Sequence, residues 1–147
     1  MRIKVKKIYK DAKMPSHGST EAAGYDLYAY TKDYDECLIH AHSTQLVGTG
    51  LVMAIPEGYF GAVFARSGLA SKRGLRPANC VGLIDSDYRG EIKVALHNDT
   101  DELQKFENGE RIAQIVILPC PPVRFVETDS LDGTVRGEGG FGSTGVN

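Results

Sequence analysis

The sequence has no apolar run long enough to cross a membrane. Its longest apolar stretch, residues 112–118, is interrupted by Gln114 and followed by Pro119, whereas a membrane-spanning helix needs about 20 predominantly apolar residues. The lysine-rich start of the chain is not followed by the apolar segment of a secretory signal. We therefore expect neither secretion nor insertion into a membrane.

Cysteines are few and form no recognisable pattern. Cys37, Cys80 and Cys120 are odd in number, widely spaced and without a Cys-x-x-Cys pair, so we expect buried or idle thiols in a reducing cytoplasm. His40 and His42 could share one strand face as metal ligands. No acid or thiol stands at a matching spacing, which favours structural or exposed roles for both histidines.

An excess of charge of one sign is also lacking. The formal net charge is −2, which argues against a generally basic surface and against non-specific binding of nucleic acid. Any anionic ligand must therefore be held by a local site. The 147 residues, of which 41% are hydrophobic, suit one ordinary globular domain with its own core.

What the sequence does contain is a series of short strands separated by turn residues. Residues 91–97 alternate apolar and polar side chains, which predicts a strand with one buried face. Three segments are apolar on both faces, as inside a sandwich or barrel, namely residues 46–55, 59–65 and 111–118. Further strands are expected around Val5, Leu27, Leu38 and Phe125.

Turns and one short helix complete the expected fold. Residues 56–58 (Pro-Glu-Gly) and 107–109 (Glu-Asn-Gly) predict turns, and residues 68–73 predict a short helix that Gly74 ends. The pattern as a whole predicts a mostly antiparallel all-β domain, a jelly roll or related distorted β-barrel. No repeat or linker divides the chain, so we expect a single domain with its core at residues 1–132.

The last fifteen residues, 133–147, differ from this core. They contain six glycines and few strand-forming residues, which predicts a C-terminal arm that is mobile unless something orders it. The spacing of Gly137, Gly139 and Gly142 matches a dinucleotide-binding loop, but no helix follows to complete such a site.

This arm could nevertheless bind a nucleotide. Arg136 could grip phosphate oxygens, and Phe141 could stack on a planar base. The alternative is a disordered tail, which glycine-rich termini usually form.

An anion site is also expected at the start of the short helix. Ser67 could cap that helix, and the free N–H groups of its first turn would lie next to Arg66. The alternative is a surface cap beside an exposed arginine.

Two carboxylates, Asp85 and Asp87, stand in the polar turn at residues 82–90. They could bind a divalent cation together, or one could act as a general base. The alternative is a turn in which both bond their own backbone. Because Asp85 follows the apolar pair Leu83-Ile84, we expect it to be partly buried and the better base.

Two further polar residues lie inside apolar segments. Asp26 stands in an apolar strand and Gln114 in the apolar run at residues 112–118. A buried polar group needs a partner, so each is either a structural hydrogen bonder or part of a site.

Taken together, these segments resemble the five ordered motifs of the homotrimeric dUTPase family. The matching segments are residues 22–28 (Ala-Ala-Gly-Tyr-Asp-Leu-Tyr), 65–70 (Ala-Arg-Ser-Gly-Leu-Ala), 82–90 (Gly-Leu-Ile-Asp-Ser-Asp-Tyr-Arg-Gly), 109–114 (Gly-Glu-Arg-Ile-Ala-Gln) and 136–145 (Arg-Gly-Glu-Gly-Gly-Phe-Gly-Ser-Thr-Gly). They occur in the family's order and cover nearly the whole chain.

The resemblance implies a jelly-roll homotrimer that hydrolyses dUTP to dUMP and pyrophosphate with Mg²⁺. Such an enzyme, a dUTP diphosphatase, limits uracil incorporation into DNA and supplies dUMP for thymidylate synthesis. Each of its three sites draws on all three subunits, and the arm of one chain closes over a pocket formed by the others. The Mg²⁺ is held by the triphosphate and waters, with no direct protein ligand, which suits its reluctance to dehydrate.

The resemblance also implies roles for single residues. Asp85 matches the base that deprotonates water for in-line attack on the α-phosphorus, and Asp26 matches a supporting carboxylate. Tyr88 matches the ring that packs on deoxyribose and leaves no room for a 2′-hydroxyl. The uracil-reading hairpin corresponds to Asn79, Gly82 and Ile84. The phosphate contacts correspond to Arg66, Ser67, Gly68 and Gln114.

In the arm, the resemblance assigns Phe141 to stacking on uracil. The groups holding the γ-phosphate correspond to Arg136, Ser143 and Thr144, and Gly142 belongs to the same substrate-binding segment.

Three other classes are weighed as alternatives. A dCTP deaminase shares the fold but uses a glutamate a few residues after the catalytic turn, where this chain has Val94, Ala95 and Leu96. It also lacks the Phe-Gly-Ser-Thr arm. A regulatory protein on this fold usually carries an inserted segment, for which the connection at residues 119–135 is short. A catalytically dead nucleotide-binding relative would not be expected to keep Asp85, Tyr88 and Arg136.

Overall fold

The computed structural model describes residues 1–31 and 36–140, which form twelve β-strands and one α-helix. In chain order these are β1 (Lys4–Lys7), β2 (Ser16–His17), β3 (Tyr25–Tyr28), β4 (Glu36–Ile39), β5 (Thr44–Gly48), β6 (Leu51–Ala54), β7 (Tyr59–Phe64), α1 (Ser67–Arg73), β8 (Leu75–Pro77), β9 (Gly82–Ile84), β10 (Lys93–Asn98), β11 (Gln104–Glu107) and β12 (Arg111–Pro119). The expected all-β class with one short helix is confirmed.

The strands pair antiparallel throughout the described residues. The largest sheet has five strands in the order β2-β3-β12-β7-β9, and a three-stranded sheet has the order β5-β10-β8. Two further pairs are β1 with β6 and β4 with β11. In the five-stranded sheet, β12 and β7 are central and β9 lies at an edge, so the sheet brings together segments that are far apart in sequence.

The core follows the alternation seen in the sequence. Ile92, Val94 and Leu96 are fully buried, while Lys93 between them is exposed. They join a single apolar cluster with Leu27 and Ile112 from other strands. Burying a side chain of this kind contributes roughly 1.5–3 kcal/mol, so the two-residue period of a strand such as β10 is enough to fix which face packs inward.

The helix ends as expected but begins differently. Gly74 ends α1 in the left-handed conformation, with φ 60°. The expected cap, Ser67, is wrong: Ser67 is already helical, and Arg66 occupies the N-cap position in extended conformation without a side-chain cap hydrogen bond. The Arg66 side chain instead forms an ion pair with Asp26 on β3.

The expected single strand at residues 46–55 is two strands. The chain turns between β5 and β6 at Gly50, whose φ of +68° favours glycine. The Gly50 N–H donates to Glu91 Oε1 at 2.8 Å, and Thr49 Oγ1 donates to the Ile92 carbonyl at 2.7 Å. Apolar composition alone does not reveal such a break, because apolar residues stand on both sides of it.

The strand expected around Phe125 is also wrong. Strand β12 ends at Pro119, and residues 120–128 have no regular structure, with Phe125 93% exposed. Pro121 and Pro122 lack the N–H groups that a continuing ladder would need. Within the described part of the chain, no helix has the length and apolar character required to span a membrane.

Candidate active site

Three charged side chains meet where β3, β12 and the end of β7 lie side by side. Asp26 is only 7% exposed, and its Oδ1 accepts a hydrogen bond of 2.8 Å from Arg66 Nε. Its Oδ2 lies 3.4 Å from Arg111 Nη1. A buried carboxylate needs such partners to remain charged. We call Asp26, Arg66 and Arg111 the arginine cluster, and it carries more positive than negative charge.

Gln114 lies beside this cluster and fixes the chain that leads into it. Gln114 pairs with Asp26 on β3 and with Phe64 on β7. Its Nε2 donates to the Ala65 carbonyl at 2.9 Å, and Gly24 packs so closely that an added β-carbon would lie 2.7 Å from Gln114 Oε1. The half-buried amide therefore holds the residue just before Arg66 in place.

The start of α1 leaves an open surface next to Arg66. The main-chain N–H groups of Leu69 and Ala70 both donate to the Arg66 carbonyl at 3.0 Å. Ser67 and Gly68 are exposed, and an added β-carbon at Gly68 would meet nothing within 4 Å. Because Gly68 has no side chain, an anionic group could approach the main-chain N–H groups here closely.

The connection between β8 and β9 leads to the edge of the five-stranded sheet; β8 pairs with β10 and β9 with β7, so these two strands form no hairpin with each other. The connection contains the exposed Asn79 and Cys80, which has a φ of 61°, and Val81 N–H donates to the Asn79 carbonyl at 2.6 Å. Gly82 and Ile84 on β9 pair with β7 on one side only. Their outward backbone groups can therefore bind the polar edge of a planar ligand.

The turn after β9 presents two exposed carboxylates. Asp85 is exposed, like Asp87, so the expectation that it is partly buried is wrong for the single chain. The turn is closed by Tyr88 N–H donating to the Asp85 carbonyl at 3.2 Å and by Arg89 Nη1 donating to the Ser86 carbonyl at 2.7 Å. Within residues 1–31 and 36–140, neither carboxylate is tied down by a hydrogen bond or ion pair. The alternative in which both bond their own backbone is therefore not seen.

Tyr88 stands at the end of the same turn with a fixed ring. It is 43% exposed, and its hydroxyl donates a hydrogen bond of 3.0 Å to the Glu91 carbonyl. Asp85 and Tyr88 thus share one turn, one presenting a free carboxylate and the other the face of a ring.

The turn and the arginine cluster lie toward opposite ends of β7. Phe64 pairs with Gln114, whereas Gly61 pairs with Ile84, so the two pairs are separated by about 10 Å at the usual rise of a strand. Because β9 runs antiparallel to β7, Asp85 extends this distance further. One chain therefore does not bring its own Asp85 next to its own Arg66.

The described part of the arm contains Arg136, which makes a local hydrogen bond. Arg136 Nε donates to the Gly139 carbonyl at 2.6 Å, within a local turn in which Gly137 has a φ of 51°. The remaining predicted arm residues lie outside the described residues, namely Phe141, Gly142, Ser143 and Thr144.

The residues considered as metal ligands remain separate. His42 Nε2 lies 2.8 Å from Asp101 Oδ1 on the surface, and no group of three His, Cys, Asp or Glu side chains in the described ranges could hold a metal ion. All three cysteines are free. Cys80 and Cys120 are exposed, whereas burial raises the pKa of the half-buried Cys37 thiol.

Comparison of the sequence and the fold with known proteins identifies the family of this chain. A sequence model of the dUTPase family matches residues 10–145. The chain belongs to the dUTPase family. It is 44% identical to the deoxyuridine 5′-triphosphate nucleotidohydrolase of Nautilia profundicola, over 99% of both chains. It is 45% identical to the enzyme of that name from Yarrowia lipolytica, over 100% of this chain and 91% of the other.

A solved structure shows the same fold. The dUTPase of Staphylococcus bacteriophage 80alpha, solved with dUPNHPP, superposes with a TM-score of 0.87 at 29% identity, covering 99% of both chains. The expected jelly roll of the dUTPase type is thereby confirmed.

Some residues of the candidate site were not found from the sequence. Arg111 shares Asp26 with Arg66, and Gly24 packs on the Gln114 amide. Arg111 is three residues from Gln114 and Gly24 is two residues from Asp26, so the need of these two polar groups for partners was the available signal. Gly90 gives no such signal, because its contact with Tyr88 depends on the shape of the turn.

Proposed function

We propose that this chain hydrolyses dUTP to dUMP and pyrophosphate. The observation that carries the proposal is the turn after β9, which contains both the free Asp85 carboxylate and the exposed Tyr88 ring and directly follows an edge strand able to read a base. The similarity to deoxyuridine 5′-triphosphate nucleotidohydrolases over nearly the whole chain supports the proposal.

In this proposal Asp85 acts as the general base. It accepts a proton from water, whose oxygen attacks the α-phosphorus in line with the leaving group. The bond from the α-phosphorus to the α–β bridging oxygen breaks, and pyrophosphate departs with that oxygen. Positioning and charge neutralisation contribute more to such reactions than covalent help.

The positive charge that the triphosphate requires comes from local groups. One phosphate-binding region is formed by Arg66, the open backbone at Ser67 and Gly68, and Gln114. Asp26 supports it through its ion pair with Arg66. Mg²⁺ neutralises phosphate charge when bound. In this proposal the ion would be held by the triphosphate and waters, as suits its reluctance to dehydrate.

We assign specificity to the segment at residues 78–84, to Tyr88 and to the arm. The segment at residues 78–84 reads the uracil edge with Asn79 and the backbone of β9. Tyr88 excludes a 2′-hydroxyl. Phe141 stacks on the base, while Arg136, Ser143 and Thr144 hold the γ-phosphate.

We further propose that the active unit is a homotrimer with shared sites. The separation of Asp85 from the arginine cluster supports this, because the base and the phosphate-binding groups must meet around a single triphosphate, which is shorter than the distance between them in one chain. The segment after β12 also leaves large apolar side chains exposed, namely Val123, Phe125, Val126 and Leu131. Surfaces of this kind are typical of contacts between chains. A cytoplasmic location remains a prediction.

A nucleotide panel tests the proposed function. The full chain is assayed with Mg²⁺ and dUTP, UTP, dTTP or dCTP, and both pyrophosphate and ammonia are measured. We expect pyrophosphate from dUTP alone. Ammonia from dCTP would instead identify a deaminase, and no turnover of any nucleotide would refute the proposal. Sedimentation equilibrium of the same sample tests the trimer.

A further inference from the structure

Gly90 forms the surface against which the Tyr88 ring lies. A β-carbon added at Gly90 would collide with the hydroxyl oxygen, Cζ and Cε2 of Tyr88. The ring thus lies over the Gly90 α-carbon, at a distance that only glycine permits. Because the colliding atoms are the far end of a side chain, a larger residue at position 90 would displace the ring before it displaced the backbone.

The hydrogen-bond acceptor that holds the ring is itself fixed to the core. Tyr88 donates to the main-chain carbonyl of Glu91, and Glu91 Oε1 accepts the Gly50 N–H at 2.8 Å. The next residue, Ile92, is buried, and its N–H donates to the Leu51 carbonyl at 2.8 Å. The Glu91 carbonyl therefore cannot follow a displaced Tyr88 hydroxyl.

Among the described residues, the Tyr88 hydroxyl makes one hydrogen bond, to the Glu91 carbonyl. The side chain remains 43% exposed, so the Gly90 contact and this hydrogen bond contribute strongly to the position of the ring. A shift that breaks this bond would release the ring from its present orientation.

We propose that Gly90 is a positioning residue that sets sugar specificity by seating Tyr88 against the anchored Glu91 carbonyl. The inference rests on the proposed function, in which the Tyr88 ring packs on deoxyribose. With alanine at position 90, the ring moves from the sugar. Contact with deoxyribose then weakens, and the space that a 2′-hydroxyl requires opens.

The test compares Gly90→Ala with the unaltered protein, using dUTP and UTP with Mg²⁺. We expect the dUTP-to-UTP ratio of kcat/KM to fall about tenfold, in the range that one lost pocket contact produces. The KM for dUTP should rise while kcat changes little, because the contact is made in the ground state and the transition state alike. Binding of the non-hydrolysable imido analogues of dUTP and UTP should lose preference by the same factor.

A double-mutant cycle separates positioning from general damage. In a Tyr88→Ala background, Gly90→Ala should leave the ratio unchanged, because no ring remains to be displaced. Ile92→Val is the matched control: it weakens the adjacent core and should lower Tm without altering the ratio. If Gly90→Ala does not fold, Tyr88→Phe removes only the hydrogen bond and should reduce the ratio in the same direction.

Two results would overturn the inference: an unchanged ratio in Gly90→Ala, or an equal effect of that change with and without the Tyr88 ring. If Gly90→Ala does not fold, an unchanged dUTP-to-UTP ratio in Tyr88→Phe would also overturn the inference. Failure of the proposed function is distinguishable, because the unaltered protein would then not hydrolyse dUTP at all.

Discussion

The arginine cluster and the turn after β9 are built in opposite ways. In the cluster, Asp26 is buried and both of its oxygens face arginines. In the turn, Asp85 is exposed and its carboxylate is free among the described residues. The first region is organised by the fold of one chain. In the proposed trimer, the second is completed by a substrate or another chain, so the two regions should respond differently to mutation.

Asp85→Asn should separate chemistry from structure most strongly. The amide keeps the shape of the side chain but cannot accept the proton of water, so turnover of dUTP should fall by about 10²–10⁴-fold. Tm and the affinity for a non-hydrolysable dUTP analogue should change little, since this carboxylate holds nothing in place. Steady-state pyrophosphate release and calorimetry measure the two effects.

Asp87→Asn is the control for that change, because Asp87 is equally exposed on the same turn. It should keep near-normal turnover. Near-normal turnover in Asp85→Asn itself would remove the general-base assignment.

Deletion of residues 136–147 should have the next largest effect. If the arm closes over the site, its loss leaves the γ-phosphate and base unheld, and turnover should fall roughly 100-fold, as expected for lost positioning. The core should stay folded, because the described arm residues make only local hydrogen bonds. Pyrophosphate assays and a thermal melt check both statements, and full activity in the shortened chain would show that the arm is not a lid.

Asp26→Asn should affect stability and binding together. The change removes a charged acceptor from two arginines, so the free energy of unfolding should fall by about 2 kcal/mol. The KM for dUTP should rise because Arg66 loses its orientation. Urea denaturation and steady-state kinetics measure the two quantities.

Asp101→Asn is the matched control for the buried carboxylate. It breaks the surface pair with His42, and exposed pairs contribute little, so its unfolding curve should match that of the unaltered protein. If Asp26→Asn is equally harmless, the cluster is not the organised region described above.

Gly24→Ala should give the smallest effect. The new methyl group displaces the Gln114 amide, which then loses its hydrogen bond to Ala65, so the KM for dUTP should rise about fivefold. Gly18→Ala, whose added carbon would lie at an ordinary 3.9 Å from Asp26 Oδ2, should leave KM unchanged. Equal KM values for the two variants would contradict a positioning role for Gln114.

The fold could be predicted from the sequence where the cause is local. The alternation at Ile92, Val94 and Leu96 and the glycine that ends α1 act within a few residues of themselves, and both predictions are confirmed. The break at Gly50 could not be read, because it depends on the distant partners Glu91 and Ile92. The Ser67 cap failed for a similar reason, since Arg66 turns toward Asp26 on β3.

In the candidate site, too, the features with local causes could be predicted and the others could not. That Asp26 and Gln114 need partners follows from their apolar neighbours, and both have them. The burial expected for Asp85 did not follow from the apolar pair before it, because Leu83 is itself exposed on the edge strand. The roles of Phe141, Ser143 and Thr144 stay predictions.

The distance along β7 between Asp85 and the arginine cluster also has a genetic meaning. If each site takes these groups from different chains, two inactive alleles, one altered at Asp85 and one at Arg66, can restore part of the activity when expressed together. Some sites of a mixed trimer would then receive an intact copy of both groups. Conversely, an allele altered at both positions could not complement either single variant. Expressed together with the unaltered chain, it would inactivate the sites to which it contributes one of these groups.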